Sequence, residues 1–340
     1  VVLSNNNLLK IDLEEFKCVL SIDFKKINIF DQYVNYLNCS KNGVTISLRN
    51  YVLTLSLDNF KVLNSNGGSK SFNINDEDIV KRKALACHGV DKMVTIFSTF
   101  NTFSTEYKFL YNIDKAVFIG ENEFAAIMSD YSDMSKTGLF IYDYKEKRHN
   151  SKIFNPHPKS SPWCIEAAPE PNCVISGGFD NRIVVSEPLW EKIIKTFEGL
   201  RNSVYFLKLS DDGKYLLSCS LDGTVKLWDY HKNTLMSTLN HSSKRAIFSP
   251  DNKTIVTLGE DGIFKFWDLN TGIEKVAMFA KDSANIIAFT PEGYFECTGK
   301  NGDYLSIAMG EEVYGVDQFA LTKNKSHVIL ERLGSSRKDL

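Results

Sequence analysis

The sequence lacks the signals that mark several large classes of protein. No apolar run is long enough to form a transmembrane helix. Acidic and basic residues nearly balance, with a formal net charge of −2, so the clustered basic excess of a nucleic-acid-binding protein is missing. No G-x-S-x-G, G-x-x-x-x-G-K-[ST] or H-E-x-x-H motif occurs, which argues against the common hydrolase, nucleotide-binding and zinc-protease sites.

Cysteine is infrequent and follows no pattern. The chain has seven cysteines and no C-x-x-C pair, and the odd number argues against a disulfide framework. Cys173 and Cys219 fall on predicted strands, where a free thiol packs as a small apolar group. The first residues also lack the basic flank and apolar run of a signal peptide. These features predict a reduced, cytoplasmic location.

Two features could carry chemistry, and both favour a structural interpretation. Cys87 and His88 are adjacent in sequence, whereas a catalytic Cys and His are normally adjacent in space, and no protease signature surrounds them. Metal-ligand spacing is absent from the other histidines considered, His149, His157, His231 and His327. We therefore predict no catalytic, cofactor-binding or metal-binding residues and no enzymatic activity.

The most regular part of the chain runs from Val204 to Asp229. It contains short apolar runs that alternate with polar residues, separated by Asp212-Gly213 and Asp222-Gly223, and a further run follows at Leu235–Leu239. Alternation with Asp-Gly turns predicts a four-stranded antiparallel meander. The pattern returns about 40 residues later and again ends in Trp-Asp, at Trp267.

These two units resemble WD40 repeats. The resemblance implies that each unit is one blade of a β-propeller. It also implies a buried network in which a His contacts the turn Asp and a strand Ser or Thr, and that hydroxyl accepts from the Trp indole. The residues that match this network are Ser218, Asp222, Trp228, His241, Thr257, Asp261 and Trp267. The unit that begins at Val204 has Leu200 where the repeat carries its His, so its network is incomplete.

Weaker units recur at similar spacing along the rest of the chain. Their first strands are predicted near Tyr33, Lys83, Lys115, Trp163, Ser203, Lys244 and Asn285. We therefore predict an all-β, seven-bladed WD40-type β-propeller over residues 1–320, followed by a C-terminal tail at 321–340. Pairing of Cys18–Ile22 with the last strands would close the ring and remove its open edges. Eight blades are the alternative.

The leading functional prediction is a non-enzymatic scaffold that docks a protein partner. In WD40 propellers the usual recognition surface is the narrow face at the rim of the central channel, just before each inner strand and each turn Asp. In this chain those positions are Trp163, Phe179, Arg201, Asn202, Tyr205, Leu221, Ser243, Arg245, Glu260 and Asn285. Trp, Tyr and Arg are the residue types that most often anchor interfaces.

The C-terminal segment suggests a second function. Phe289–Cys297, with its Pro-Glu-Gly-Tyr turn, and Glu311–Phe319 resemble the terminal segment of bacterial WD40 proteins associated with caspase-like peptidases. The resemblance implies a sensing or regulatory propeller that acts on a caspase-like peptidase or another effector subunit. Neither nucleic acid nor a membrane is expected as a direct partner. A propeller enzyme or a metal-binding propeller is the third alternative.

Overall fold

A computed structural model describes most of the central and C-terminal chain and the strands of the N-terminal part. The described residues are 2–4, 7–12, 17–23, 36–40, 43–47, 51–55, 62–67, 73–78, 83–88, 92–98, 104–130, 133, 136–158, 160–280, 286–297, 306–309, 312–315 and 323–333.

All the β-sheets in these ranges are antiparallel, and the strands of each are consecutive in the chain. The first sheet has three strands, β1 (Val2–Ser4), β2 (Asn7–Asp12) and β3 (Lys17–Asp23). The second has four, β4 (Tyr36–Ser40), β5 (Gly43–Ser47), β6 (Tyr51–Leu55) and β7 (Val62–Gly67). The third comprises β8 (Asn73–Asp78), β9 (Lys83–His88), β10 (Met93–Ser98) and β11 (Ser104–Lys108).

The next three sheets repeat the four-stranded arrangement. They are β12 (Asn112–Phe118), β13 (Glu123–Ser129), β14 (Gly138–Asp143) and β15 (Arg148–His149); β16 (Pro162–Ala167), β17 (Val174–Gly178), β18 (Ile183–Glu187) and β19 (Lys192–Phe197); and β20 (Val204–Leu209), β21 (Tyr215–Ser220), β22 (Thr224–Asp229) and β23 (Thr234–Asn240). A 3₁₀ turn, Pro188–Trp190, lies between β18 and β19.

The C-terminal strands form a six-stranded sheet and a hairpin. The sheet holds β24 (Ser243–Phe248), β25 (Thr254–Gly259), β26 (Phe264–Asp268), β27 (Glu274–Ala280), β28 (Ile286–Phe289) and β29 (Phe295–Cys297), and the hairpin is β30 (Ser306–Met309) and β31 (Glu312–Gly315). Helix α1 (Ser326–Leu333) follows. The all-β prediction is confirmed. No helix of the described chain is long and apolar enough to cross a lipid bilayer.

The contacts divide the chain into two compact units, Asp31–Ser242 and Val1–Phe30 with Ser243–Leu340. The predicted single domain over 1–320, the blade count and the closure of the ring stay predictions. Among the described strands, β3 is paired with β2.

Two predicted first strands were wrong. The strand predicted near Asn285 is β28, which pairs with β27 as the fifth strand of the six-stranded sheet. The strand predicted near Lys83 is Lys83–His88, which is the second strand of its sheet because β8 precedes it. The composition of β8, Asn-Ile-Asn-Asp-Glu-Asp, explains the error at Lys83, because Asn and Asp are depleted in strands. Pairing with neighbouring strands overrides that weak intrinsic preference.

A partly buried contact joins two adjacent sheets of the Asp31–Ser242 unit. The ammonium of Lys195, on β19, donates to the carbonyl of Tyr230 at 2.8 Å and lies 3.4 Å from the centre of its ring. The Tyr230 hydroxyl donates to Glu170 Oε2 at 2.6 Å. Burial, and then the bond to Glu170, raise the pKa of Tyr230, which therefore stays protonated and donating.

The tail predicted for residues 321–340 contains the docked helix α1. Ile329 and Leu330 are buried in an apolar cluster that includes Met278 of β27 and Ala288 of β28. The guanidinium of Arg332 bonds to an exposed carboxylate upstream, Glu292, at 2.9 Å. Helix α1 is therefore an integral part of its unit.

Candidate functional site

A β-bulge recurs at the start of the first strand in successive sheets. In β16 the pairing passes from Pro162 to Cys164, which leaves Trp163 as the extra residue. The same shift makes Tyr205 the extra residue of β20 and Asp114 that of β12. Bulges bend a strand and redirect the side chain that they carry. They place chemically different side chains at equivalent positions of neighbouring sheets.

The bulges bring together an aromatic cluster, which we define as Trp163, Phe179 and Tyr205. The rings of Trp163 and Phe179 are stacked, with centroids 4.4 Å apart and planes 10° from parallel. The Tyr205 ring lies 5.8 Å from Trp163 at a tilt of 59°. Trp163 and Tyr205 are partly buried, whereas Phe179 is 51% exposed. The cluster thus exposes the Phe179 ring to solvent above the partly buried rings of Trp163 and Tyr205.

The backbone fixes the loop that carries Phe179. Its N–H donates to the carbonyl of Ser161 at 3.3 Å, and its own carbonyl accepts from Ser203 Oγ at 3.4 Å. Ser161 directly precedes β16 of the same sheet and Ser203 directly precedes β20 of the next, so the loop is bonded to segments that lead into both sheets. A side chain held in this way loses little conformational entropy when it binds a partner.

The other predicted contact residues of this unit are exposed. Arg201 and Asn202 lie in the segment before β20, and Leu221, which follows β21, is 55% exposed. In the unit that contains Ser243–Leu340, Arg245 and Glu260 are exposed, whereas Ser243 is only 1% exposed. The Ser243 side chain is therefore buried, and its role as a contact residue stays a prediction. Asn285 is outside the described residues.

A cleft of about 230 Å³ adjoins the aromatic cluster. We call it the bulge cleft. It is lined by two residues of the aromatic cluster, Trp163 and Phe179, and by Asp114, Lys115, Ser129, Thr137, Ser161 and Pro162. Neither charged residue of this cleft, Asp114 or Lys115, was among the contact residues predicted from the sequence. Asp114 and Lys115 are found only by aligning the bulged strands of neighbouring sheets, and that alignment requires the pairing register of the strands.

Lys115 places a partly buried positive charge in this region. Its ammonium donates to the carbonyl of Tyr205 at 3.3 Å. Its charge also acts on the thiol of Cys164, which donates to the carbonyl of Val204 at 3.4 Å. Burial raises the pKa of Cys164 to about 12 although Lys115 acts in the opposite direction. Cys164 is therefore a protonated thiol at neutral pH and no nucleophile.

The predicted structural residues contain the expected bonds between indole and hydroxyl. Trp228 Nε1 donates to Ser218 Oγ, and Trp267 Nε1 donates to Thr257 Oγ1, both at 2.9 Å. The turn carboxylates bond locally, Asp222 Oδ1 to the Thr224 N–H at 3.0 Å and Asp261 Oδ1 to the Ile263 N–H at 2.9 Å. His241, at the end of one unit, is buried.

The sheet of strands β16 to β19 is associated with a histidine, a turn Asp and a strand Ser in the arrangement of the repeat's network. This part of the network was not predicted from the sequence. His157 Nδ1 lies 2.8 Å from Asp180 Oδ1, and His157 Nε2 lies 2.9 Å from Ser176 Oγ. A Cβ atom on Gly178 would lie 2.6 Å from His157 Nδ1, so only glycine fits there. The unit itself was predicted at Trp163, and its turn Asp and strand Ser were available signals, but Ser186 at the Trp position concealed its network.

Two neighbouring sheets each contain a different part of the network: one has the His, Asp and Ser contacts, and the other has the bond from Trp to Ser. The sheet with His157 has Ser186 at the Trp position, and the Ser186 hydroxyl is buried without a partner among the described residues. The sheet with Trp228 has no network His, and Asp222 Oδ2 has no partner in the described chain. Each sheet has therefore kept one part of the repeat's network.

This difference predicts opposite outcomes for two serine substitutions. Ser186→Ala removes a hydroxyl that satisfies nothing, so we expect no loss in the free energy of unfolding. Ser218→Ala leaves the Trp228 indole unpaired, which we expect to cost about 1–3 kcal/mol. Urea denaturation of both variants measures the difference. Equal destabilisation by the two changes would contradict the assignment.

The Asp180 carboxylate predicts a pH dependence of stability. Burial alone would raise the pKa of Asp180, but the bond to His157 and the charges of His157 and Arg182 outweigh it, and the pKa is lowered. Because the pKa of Asp180 is lower in the folded protein, its carboxylate stabilises the fold at pH values above the pKa of an Asp in the unfolded chain, which is about 4. This stabilisation is lost as the pH falls through the pKa of Asp180 in the folded protein.

Asp180→Asn should therefore flatten the acid end of the stability curve. We expect wild type to lose stability faster than Asp180→Asn below about pH 4, measured by urea denaturation over a pH series. The turn variant Asp222→Asn, whose carboxylate has no histidine partner among described residues, serves as the control. Parallel acid limbs for wild type and Asp180→Asn would contradict the assignment.

The His157 network has the connectivity of a Ser-His-Asp triad but not its accessibility. Ser176 Oγ, the would-be nucleophile, is fully buried, and it lies 3.5 Å from the carbonyl of Val184. Cys87 is also buried, and burial followed by the charge of Asp114 raises its pKa well above the ordinary value. No group of three or more His, Cys, Asp or Glu side chains in the described chain could hold a metal ion.

Comparisons with known proteins agree with this architecture. Residues 191–229 and 233–268 match the WD40 family, described as WD domain, G-beta repeat. The WD repeat-containing protein WDS homolog of Arabidopsis thaliana is 35% identical over 79 residues, which are 22% of this chain and 15% of that protein. The serine-threonine kinase receptor-associated protein of Dictyostelium discoideum is 36% identical over 78 residues, which are 22% of this chain and 27% of that protein.

A solved structure extends the similarity beyond the matched repeats. The crystal structure of the Cps50 (Swd1) beta-propeller domain from Myceliophteria thermophila matches with a TM-score of 0.60 at 13% identity, and the match covers 77% of this chain and 96% of that domain. The chain thus contains WD40 repeats and has a β-propeller fold, which confirms the resemblance to WD40 repeats, whereas the resemblance of the C-terminal segment stays a prediction. It spans less than a third of the length of either relative named above.

Proposed function

We propose that the chain is a non-enzymatic scaffold that docks a protein partner through the aromatic cluster. The observation that carries the proposal is the stacked pair Trp163 and Phe179, which lines the bulge cleft and of which Phe179 is half exposed. Aromatic residues seated in packed surroundings are the usual hot spots of protein interfaces. A partner's apolar side chain can cover the exposed Phe179 ring without reorganising the sheets.

The chemistry of the buried groups supports a binding role over a catalytic one. The thiols of Cys87 and Cys164 are buried and protonated, and Ser176 is inaccessible. The described cysteines are free thiols, which is in keeping with a reducing compartment such as the cytoplasm. One relative is named as associated with a serine-threonine kinase receptor, which is a protein-association role.

The proposal is tested by site-specific photo-crosslinking in the source cells. A photoreactive phenylalanine analogue is placed at Phe179 and, as the control, at Trp190, which is 75% exposed on the 3₁₀ turn. We expect one partner band from position 179 and none of that mass from position 190. The same band from both positions, or from 190 only, would move the docking surface away from the aromatic cluster.

A further inference from the structure

We propose that the bulge cleft binds an acidic side chain, Asp or Glu, in an extended segment of the partner, with an adjacent apolar residue of that segment covering Phe179. This inference rests on the proposed function and adds the chemistry of the partner. It is carried by an unpartnered buried hydroxyl, by the donors beside it and by the placement of charge.

Ser129 provides the unpartnered group. Its side chain is only 5% exposed and lines the cleft, and its Oγ has no hydrogen-bond partner among the described residues. A buried hydroxyl without a partner is costly, because it has lost its water. A ligand that enters the cleft with an acceptor oxygen would satisfy it.

Thr137 adds a second hydroxyl, which already accepts one hydrogen bond and keeps its own hydrogen to donate. Its side chain is buried, and its Oγ1 accepts from the Asp130 N–H at 3.2 Å. A hydroxyl that already accepts can still donate its own hydrogen. Ser129 and Thr137 thus each offer an O–H donor to an acceptor oxygen in the cleft. Because hydroxyls also accept, the preference for a carboxylate over an ammonium group comes from Lys115.

The two charged residues of the cleft differ in exposure. Lys115 is partly buried and its ammonium donates to the Tyr205 carbonyl, whereas Asp114 is exposed. Charges interact more strongly where solvent screening is weaker, so Lys115 acts on a bound group more strongly than Asp114 does. An ammonium can donate to more than one acceptor at once, so a carboxylate can bind Lys115 beside the partners that it already has.

The size of the cleft selects a side chain as the occupant. Its volume, about 230 Å³, lies below the roughly 300–1,000 Å³ that is typical of small-molecule sites. The stacked aromatic pair forms one of its walls, next to solvent. An acidic residue followed by an apolar one would therefore fill the cleft and cover the cluster together.

The test uses short amidated peptide libraries with the full chain. Each library fixes one residue as Glu, Gln or Lys, followed by Phe, with the other positions degenerate, and binding is measured by fluorescence polarisation. The Glu–Gln comparison needs no protein variant. Four variants are compared with wild type: Lys115→Met, Asp114→Asn as its oppositely charged neighbour, Ser129→Ala, and the double change Trp163→Ala with Phe179→Ala.

We expect the Glu library to bind wild type about tenfold more tightly than the Gln library. Lys115→Met should remove this preference, and Asp114→Asn should keep or increase it. Ser129→Ala should weaken binding of the Glu library without lowering the melting temperature, because the lost hydroxyl satisfies nothing in the free protein.

Two results would overturn the inference in different ways. Equal binding of Glu and Gln, or preference for Lys, with binding still lost in the aromatic double variant, would reject the acidic partner and leave docking at the cluster standing. Binding that is no stronger for wild type than for the double variant would reject the cluster itself as a docking surface.

Discussion

The Trp228→Ala variant is expected to lose about 3–5 kcal/mol of its free energy of unfolding. The Trp228 side chain is 1% exposed and packs edge-on against Phe197, with ring centroids 5.5 Å apart. Its indole also donates to Ser218. Truncation to alanine would open a large cavity between packed sheets and leave a buried hydroxyl without its donor. A domain's whole stability is about 5–15 kcal/mol, so the variant should be close to unfolding at room temperature.

The matched control is an equally large change at an exposed tryptophan. Trp190→Ala removes a side chain that is 75% exposed, and we expect a change within about 0.5 kcal/mol. Denaturant titration followed by circular dichroism measures both variants. Similar midpoints for Trp228→Ala and Trp190→Ala would show that Trp228 does not hold its sheet in place.

The second large effect is expected from His157→Ala, at about 3 kcal/mol. The substitution would leave Asp180 and Ser176 without the partner that lies 2.8 and 2.9 Å from them. It would also open a space beneath Gly178, which approaches the imidazole too closely for any larger residue. Removal of one member of a buried network costs more than the mean value of a hydrogen bond, because the remaining groups stay desolvated.

His231→Ala provides the control for His157→Ala. His231 is exposed and contacts the Tyr230 ring at a centroid distance of 5.5 Å. We expect its loss to change stability by less than about 0.5 kcal/mol. If His157→Ala and His231→Ala unfold at the same denaturant concentration, the imidazole of His157 is not a structural element.

The sequence predicts the fold best where the local signals agree. Around Trp228 the strand alternation, the Asp-Gly turns and the Trp-Asp ending all indicate the same meander, and strands β20 to β23 follow it. Strand β8 carries no such signal, and its sheet was therefore counted from the wrong strand. Helix α1 was not predicted, because the burial of Ile329 and Leu330 depends on distant strands, β27 and β28, and not on a pattern within the tail.

The candidate site was predictable only in part. Trp163, Phe179 and Tyr205 were chosen one by one from their positions before strands and turns, and the structure brings them into contact. Lys115 could not be chosen, because its position in the cleft depends on the bulge at Asp114. Ser129 could not be chosen, because only the structure shows that its hydroxyl lacks a partner among the described residues. The partner itself, including the caspase-like peptidase, stays a prediction.

The most direct test of the account is the dissociation constant of the crosslinked partner, once purified, for the double variant Trp163→Ala with Phe179→Ala. The account predicts a loss of about 2 kcal/mol or more, roughly thirtyfold in Kd, with Trp190→Ala unchanged from wild type. The double variant must retain the wild-type melting transition, so that the loss reports on binding. An unchanged Kd for the folded double variant would contradict docking at the aromatic cluster.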